Sequence, residues 1–334
     1  MPKPGSLNDR LRRAGVRSFD ELIHDQSREW LIENFKEGAT DYPVNVSRLM
    51  RNLAWQLRER IQRGEKEPLK ELIRTFWYMY VKPTLSRAGA LAEETDQYAQ
   101  LTDNLAALVR DFNVLRYKDI GFRDDNENNR RLGKNANVIV VGEKAGAMGF
   151  LLDLHARYDV TVIALGGQPS LLSVEYLTDA IRAAGVNLKR SFYLFSIVDF
   201  DPSGWIIQQA FLNDLAFYGL SHTRVTELIT PDRLLLDEVL GSRFRIPDNA
   251  SMRTKNKAWL AQVRARHYKN QTALEEAGVL YGLEAESVST ARLHATLESE
   301  MAPLLGKSED LLKIYELRQV EKAIQELILF KISQ

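Results

Sequence analysis

Cysteine is absent from this chain of 334 residues, which excludes disulfides, thiolate metal ligands and a cysteine nucleophile. Excess charge is absent too. Lys and Arg total 45 against 45 Asp and Glu, so no global basic signature points to nucleic acid, and any such partner must be met by local patches. No apolar run reaches the ~18 residues of a membrane span, and "MPKPGSLNDRLRR" lacks the apolar segment of a signal peptide. The expectation is therefore a cytoplasmic protein with no membrane partner. Histidine is scarce, and His155, His222 and His267 read as packing or surface residues rather than ligands.

What is present is an ordinary globular composition, 45% hydrophobic and 27% charged, over a length that holds two domains. The first third reads as helical. Leu49, Leu53, Leu57 and Ile61 recur every fourth residue and form one stripe. "RGEKEP" breaks that helix, Pro68 fits the first position of a new one, "PLKELIRTFWYMYV", and Pro83 stops it. A further helix is expected over Leu91 to Arg110, then a short strand or wing in "FNVLRYKDIGF". Several short helices followed by a wing suggest a winged-helix module, whose work is to lay a helix on DNA.

The polar stretch "RDDNENNRRLGKN" (Arg123 to Asn135) reads as a linker. Beyond it the pattern changes. "NVIVVG", "DVTVIAL", "FYLFSIVD" and "TRVTELI" are apolar, β-branched runs separated by helix-length segments, which implies a parallel sheet covered by helices on both faces. In such a sheet the functional groups gather at the carboxyl ends of the strands. The tail from about Arg253 onward reads as helical, ending in the apolar pattern "YELRQVEKAIQELILF" of an interdomain or dimer helix.

Those carboxyl ends carry acids. Glu143 follows the first apolar strand, and Asp199 and Asp201 follow the third, two residues apart and so on one face. An Asp-Pro-x-Gly turn at a solvated strand end explains the aspartates alone. Three carboxylates at one sheet edge instead make a site for a hard divalent cation, and Mg²⁺ suits one or two carboxylates plus phosphate oxygens. Reading "GEKAGAMG" as a phosphate loop fails, because neither glycine-rich fingerprint is present and Glu143 would repel a phosphate.

Two basic patches accompany the acids. From Pro43 to Ala90, ten basic residues including Arg74, Lys82 and Arg87 face four acids; from Arg253 to Asn270, six basic residues with no acid interleave with Trp259 and Tyr268. Either patch alone reads as a solvated helix face. Together they allow double-stranded DNA as a partner, with Lys82, Arg87, Lys118 and Lys144 as candidate contacts.

A glutamate after the first strand, Gly166 or Gly167 after the second, and D-x-D after the third resemble the Toprim fold of topoisomerases, primases and some nucleases. Asp199, Asp201, Pro202 and Gly204 complete a D-x-D-P-x-G pattern, and Gly167, Pro169 and Ser173 align with the glycine motif of topoisomerase VI A subunits and the meiotic double-strand-break transesterases. Upstream, "IRTFWYM" is similar to that family's R-[DE]-x-Y-Y motif, with Arg74 and Tyr78 in place; Arg110, Val114 and Lys118 fit its joining segment. Departures are Thr75 for the acid, Trp77 for the first tyrosine, Ser170 for an aspartate and Val174 for an arginine, as in a divergent branch resembling the orphan Mini-A proteins.

The resemblance covers about Arg48 to Thr230; with the flanking segments, the expectation is an α/β plus α protein: an N-terminal helical extension (1–42), a winged-helix domain (43–122) carrying the tyrosine, a linker (123–136), a Toprim core (137–250) and a helical C-terminal part (251–334). It implies a type IIB-like topoisomerase activity in which Tyr78 attacks a DNA phosphate held by Arg74, while Mg²⁺ is bound by Glu143, Asp199 and Asp201. Arg74 and Tyr78 are i and i+4, hence neighbours on one helix face, whereas Tyr80 lies on another. Two cuts need a homodimer, in which the resemblance pairs each tyrosine with the partner's metal site. The chain has no P-loop, so ATP-coupled strand passage would need a separate ATPase subunit. A nucleoid-associated location follows from DNA as substrate. Two alternatives stand beside this reading: a Toprim nuclease that hydrolyses DNA with water, and a non-catalytic DNA-binding protein.

Overall fold

A computed structural model of the chain describes residues 5–36, 42–167, 169–306, 317–318, 320–325, 327–328 and 331. The chain divides into two compact units, Met1–Asp125 and Asn126–Gln334. The boundary falls inside the polar 123–135 stretch.

The first unit is helical: α1 (Leu7–Arg13), α2 (Arg28–Phe35), α3 (Val46–Gln62), α4 (Ile73–Phe76), α5 (Lys82–Ala88), α6 (Glu94–Ala106) and α7 (Tyr117–Ile120). The four-residue stripe of α3 buries Leu49, Leu53 and Leu57. Its polar Asn52 and Gln56 are buried as well, and each is satisfied by backbone: Asn52 accepts from the Arg17 N–H (3.0 Å) and Gln56 from the Ile23 N–H (3.0 Å). These bonds tie the N-terminal segment to the central helix.

Pro68 does not start a helix. The next helical turn begins at Ile73, with Leu72 as its extended N-cap and Lys70 at φ 54° upstream. Nor does Pro83 stop one. A π-turn, Trp77–Val81, joins α4 to α5, and the Lys82 N–H bonds back five residues to the Trp77 carbonyl. Proline lacks the N–H that an α-helix needs, and the wider turn just before Pro83 carries the rod past it. The rod ends at Gly89, left-handed at φ 69°. The expected wing is also replaced: Tyr117–Ile120 is a helical turn capped by Gly121, and no strand occurs among the described residues of this unit.

The second unit holds β1 (Arg130–Arg131), β2 (Asn135–Gly142), α8 (Met148–Tyr158), β3 (Val160–Ala164), α9 (Leu171–Ala183), β4 (Phe192–Ile197), α10 (Pro202–Phe217), β5 (Thr223–Glu227), α11 (Leu236–Ser242), β6 (Arg243–Arg245), α12 (Arg253–Arg266), β7 (Glu275–Glu276), β8 (Val279–Leu283) and α13 (Thr290–Met301). The main sheet runs β1-β3-β2-β4-β5, with β2 to β5 parallel and β1 antiparallel. Its central strands are buried on both faces, as their unbroken apolar runs require. Part of the expected linker is therefore structural, since Arg130 and Arg131 extend the sheet beside β3.

The tail is not wholly helical. The strands β6, β8 and β7 form an antiparallel sheet in that order, and Ala277 and Gly278, both at positive φ, make the two-residue turn between β7 and β8. An isolated bridge pairs Phe200 with Leu283 and so joins this small sheet to the D-x-D segment. No helix among the described residues is long and apolar enough to cross a membrane.

Candidate functional site

Strand β2 has β3 on one side and β4 on the other, and the chain visits them in succession, so the carboxyl end of β2 is the sheet's switch point. Glu143 sits there. Its N–H donates to the Ile197 carbonyl (3.1 Å), and its carboxylate accepts from the Asp199 N–H (3.1 Å), which locks the glutamate against the end of β4. Gly166 (φ 67°) and Gly167 (φ 110°) follow β3, and the Gly167 N–H reaches the Glu143 carbonyl at 3.0 Å.

Phe200 separates the aspartates and is buried edge-on against Trp259 and Tyr268. Alternation leaves Asp199 and Asp201 on the other face. Asp201 is the N-cap of α10 and accepts from the Gly204 N–H at 2.6 Å, with Pro202 in the first turn, where its missing N–H costs nothing. Asp199 accepts from the Ala285 N–H (2.8 Å), a contact supplied by the segment after β8.

Electrostatics mark this cluster as short of positive charge. Burial, and then the charges of Asp199 and Asp201, push the Glu143 carboxyl up; burial and Asp199 do the same to Asp201. Lys144 is the cation that answers them. Its Nζ lies 2.8 Å from Glu284, 3.4 Å from Glu286 and 3.5 Å from Asp199. Burial works against that ammonium, but the Glu284 bond and the surrounding carboxylates hold its pKa above the usual lysine value. A cleft of about 180 Å³ opens beside it, lined in part by Glu143, Phe150, Asp199 and Glu286. Glu284 and Glu286 had no signal in the sequence, because they lie in the stretch read as helical tail and only the β8 bridge brings them here.

Among the described residues no three acidic or histidine side chains stand ready as a metal-ligand set. The donors still fit a hard cation: they are oxygens, two of them are held unfavourably charged, and an ammonium already contacts Asp199.

The tyrosine site belongs to the first unit. Trp77 is fully buried and packs edge-on against Tyr98, whereas Tyr78 is 45% exposed. Arg74 Nη2 donates to the Tyr78 hydroxyl (3.2 Å), which itself donates to Glu94 (2.5 Å). Lys82 donates to the other Glu94 oxygen at 2.6 Å. Tyr80 is buried and takes a hydrogen bond from Lys66.

The expected DNA contacts divide. Lys82 and Lys144 are engaged with carboxylates, Arg87 donates to the carbonyls of His24 and Gln26, and Lys118 is exposed on α7. Half of the Arg253–Asn270 patch is answered by acids: Arg253 pairs with Asp248, Arg264 with Glu275 and Arg266 with Glu227, whereas Lys255 and Lys257 are exposed. Trp259 is core. Compared with models of known families and with curated proteins, the chain matches none.

Proposed function

We propose that this protein is a DNA transesterase of the topoisomerase VI A type, with a helical tyrosine unit that lacks the wing and a Toprim core. The observation that carries the reading is the hydrogen bond between the Arg74 guanidinium and the hydroxyl of an exposed Tyr78, one turn apart on the rod. Arg74 and Tyr78 are the two residues that the resemblance assigns to phosphate binding and attack. The placement of Glu143 at the switch point, glycines after β3 and D-x-D at the end of β4 supports the Toprim part.

In this reading the Tyr78 oxygen forms a bond to the scissile phosphorus, the bond from phosphorus to a sugar oxygen breaks, and the sugar oxygen takes a proton from solvent and leaves as a hydroxyl. The phenol proton passes to solvent or a nearby acceptor, and resealing reverses both steps. Arg74 holds the phosphate through charge-assisted hydrogen bonds. Glu143, Asp199 and Asp201 would hold Mg²⁺, which would supply positive charge at the phosphate. A homodimer carries the two tyrosines that a double-strand break needs, and ATP-driven strand passage would fall to a separate subunit.

The test is to incubate the protein with supercoiled plasmid and Mg²⁺ or Mn²⁺, stop with detergent, and look for DNA attached covalently to protein. An adduct that Tyr78→Phe and Asp201→Asn each abolish supports the transesterase. Cut ends that form equally with Tyr78→Phe would replace it with a Toprim nuclease, and DNA binding that persists without Mg²⁺ and yields no product would replace it with a binding protein.

A further inference from the structure

Around Tyr78, three donors converge on one carboxylate. The Tyr78 hydroxyl lies 2.5 Å from one oxygen of Glu94, Lys82 Nζ lies 2.6 Å from the other, and Arg74 Nη2 stands 3.6 Å away. Arg74, Tyr78 and Lys82 fall four residues apart along the Ile73–Ala88 rod, whereas Glu94 arrives from the first turn of α6. A carboxylate and a phosphodiester offer the same feature to such donors, two oxygens that share a negative charge.

We propose that the Glu94 carboxylate occupies the position of a DNA phosphate against Arg74, Lys82 and Tyr78, and that an incoming phosphodiester displaces it. The inference rests on the reading of Arg74 and Tyr78 as the phosphate-holding and attacking residues. It also accounts for a departure from the family motif: Thr75 stands where the motif has its acid, and the acid near this tyrosine comes instead from another helix.

The cations also have ring contacts that do not involve Glu94. The Arg74 guanidinium lies 5.6 Å and the Lys82 ammonium 5.2 Å from the centre of the Tyr78 ring, and Arg74 also stacks on Tyr98 at 4.8 Å. With the carboxylate withdrawn, they would still bracket the hydroxyl. A proton-accepting role for Glu94 fits less well, because the bonds from Lys82 and Tyr78 hold its carboxyl below the usual range and so make it a weaker base.

The experiment measures binding of a short DNA duplex in EDTA, where no cleavage can occur, to wild type, Glu94→Gln and Glu94→Ala. Loss of one opposing charge within a few ångströms of the phosphate should tighten binding about fivefold at moderate salt. The salt dependence should steepen by about one phosphate contact. Glu93→Gln removes an equal charge one residue away, and its gain should stay below about twofold on the same screening argument. Thermal melts of each variant establish that it is folded.

Unchanged or weaker binding by both Glu94 variants would overturn the proposal, as would an equal gain from Glu93→Gln. Adduct assays run in parallel keep the two readings apart. Tighter binding with no adduct from any protein supports the phosphate position and removes the tyrosine chemistry. An adduct from wild type with no tightening in the Glu94 variants removes the Glu94 proposal alone.

Discussion

Gly204 lies so close to Asp199 that a Cβ on residue 204 would sit 2.1 Å from the Asp199 carbonyl oxygen. The final glycine of D-x-D-P-x-G is thus a packing requirement, for α10 can start beside the aspartates only if its third residue has no side chain. Gly204→Ala should push the helix start away from the strand, cost about 3 kcal/mol of stability and abolish any Mg²⁺-dependent rise in melting temperature. Differential scanning calorimetry with and without Mg²⁺ checks this, and a variant that melts like wild type would refute it.

Lys144 makes a second test, because sequence and structure give it different work. As a DNA contact it would lose duplex affinity on replacement. Bound among Asp199, Glu284 and Glu286, it is an internal counter-ion, and a metal at those carboxylates would have to compete with it. Lys144→Met should therefore raise Mg²⁺ affinity by on the order of tenfold in calorimetric titration, with duplex affinity in EDTA within about twofold of wild type. A drop in duplex affinity with unchanged Mg²⁺ binding would restore the DNA-contact role.

The parallel sheet was legible because Val138–Val141, Val160–Ala164 and Phe192–Ile197 are buried on both faces and so read as continuous apolar runs. The acids at their ends followed from position alone. Pro68 and Pro83 misled, because local preference at a proline yields to its surroundings: the extended segment before Ile73 takes up the first and the π-turn the second. The small sheet was missed because β6 and β7 are three and two residues long, too short for alternation to register; the Ala-Gly turn was the one available signal. Glu94, Glu284 and Glu286 were illegible for a different reason. Each reaches its site across a tertiary contact that no spacing in the chain encodes.

Asp201 gives a pH-dependent prediction. Burial and the neighbouring Asp199 raise its carboxyl above the unfolded value, so in metal-free protein the folded state holds this proton more tightly than the unfolded state. That contribution to stability is complete below the unfolded value near ~4 and is lost as pH rises through the raised folded value. Asp201→Asn keeps an acceptor for the Gly204 N–H and removes the charge. In EDTA at neutral pH the variant should be the more stable protein in denaturant titrations, and the gap should close on acidification. Mg²⁺ should stabilise wild type and leave the variant unmoved. A variant less stable than wild type in EDTA at neutral pH would overturn the assignment.

The helix α12 patch separates charge that is spent from charge that is available. Arg264 and Arg266 are matched by Glu275 and Glu227, while Lys255 and Lys257 are exposed and make no ion pair among the described residues. Removing both lysines should flatten the dependence of duplex affinity on salt by about two phosphate contacts if this face meets DNA. Arg264→Ala should leave that slope as it is. Arg266→Ala should act on the fold instead, since Glu227 would keep its bonds from Gln208 and Tyr268 and lose its cation beside the buried Gln208 and Ser196. Its cost should be about 1–3 kcal/mol in denaturant titrations, the range for a partly buried charge left without its partner. If the lysine pair leaves the slope unchanged, this helix is an outer face of the second unit, and any contact with DNA would fall to the rod that carries Arg74 and Tyr78.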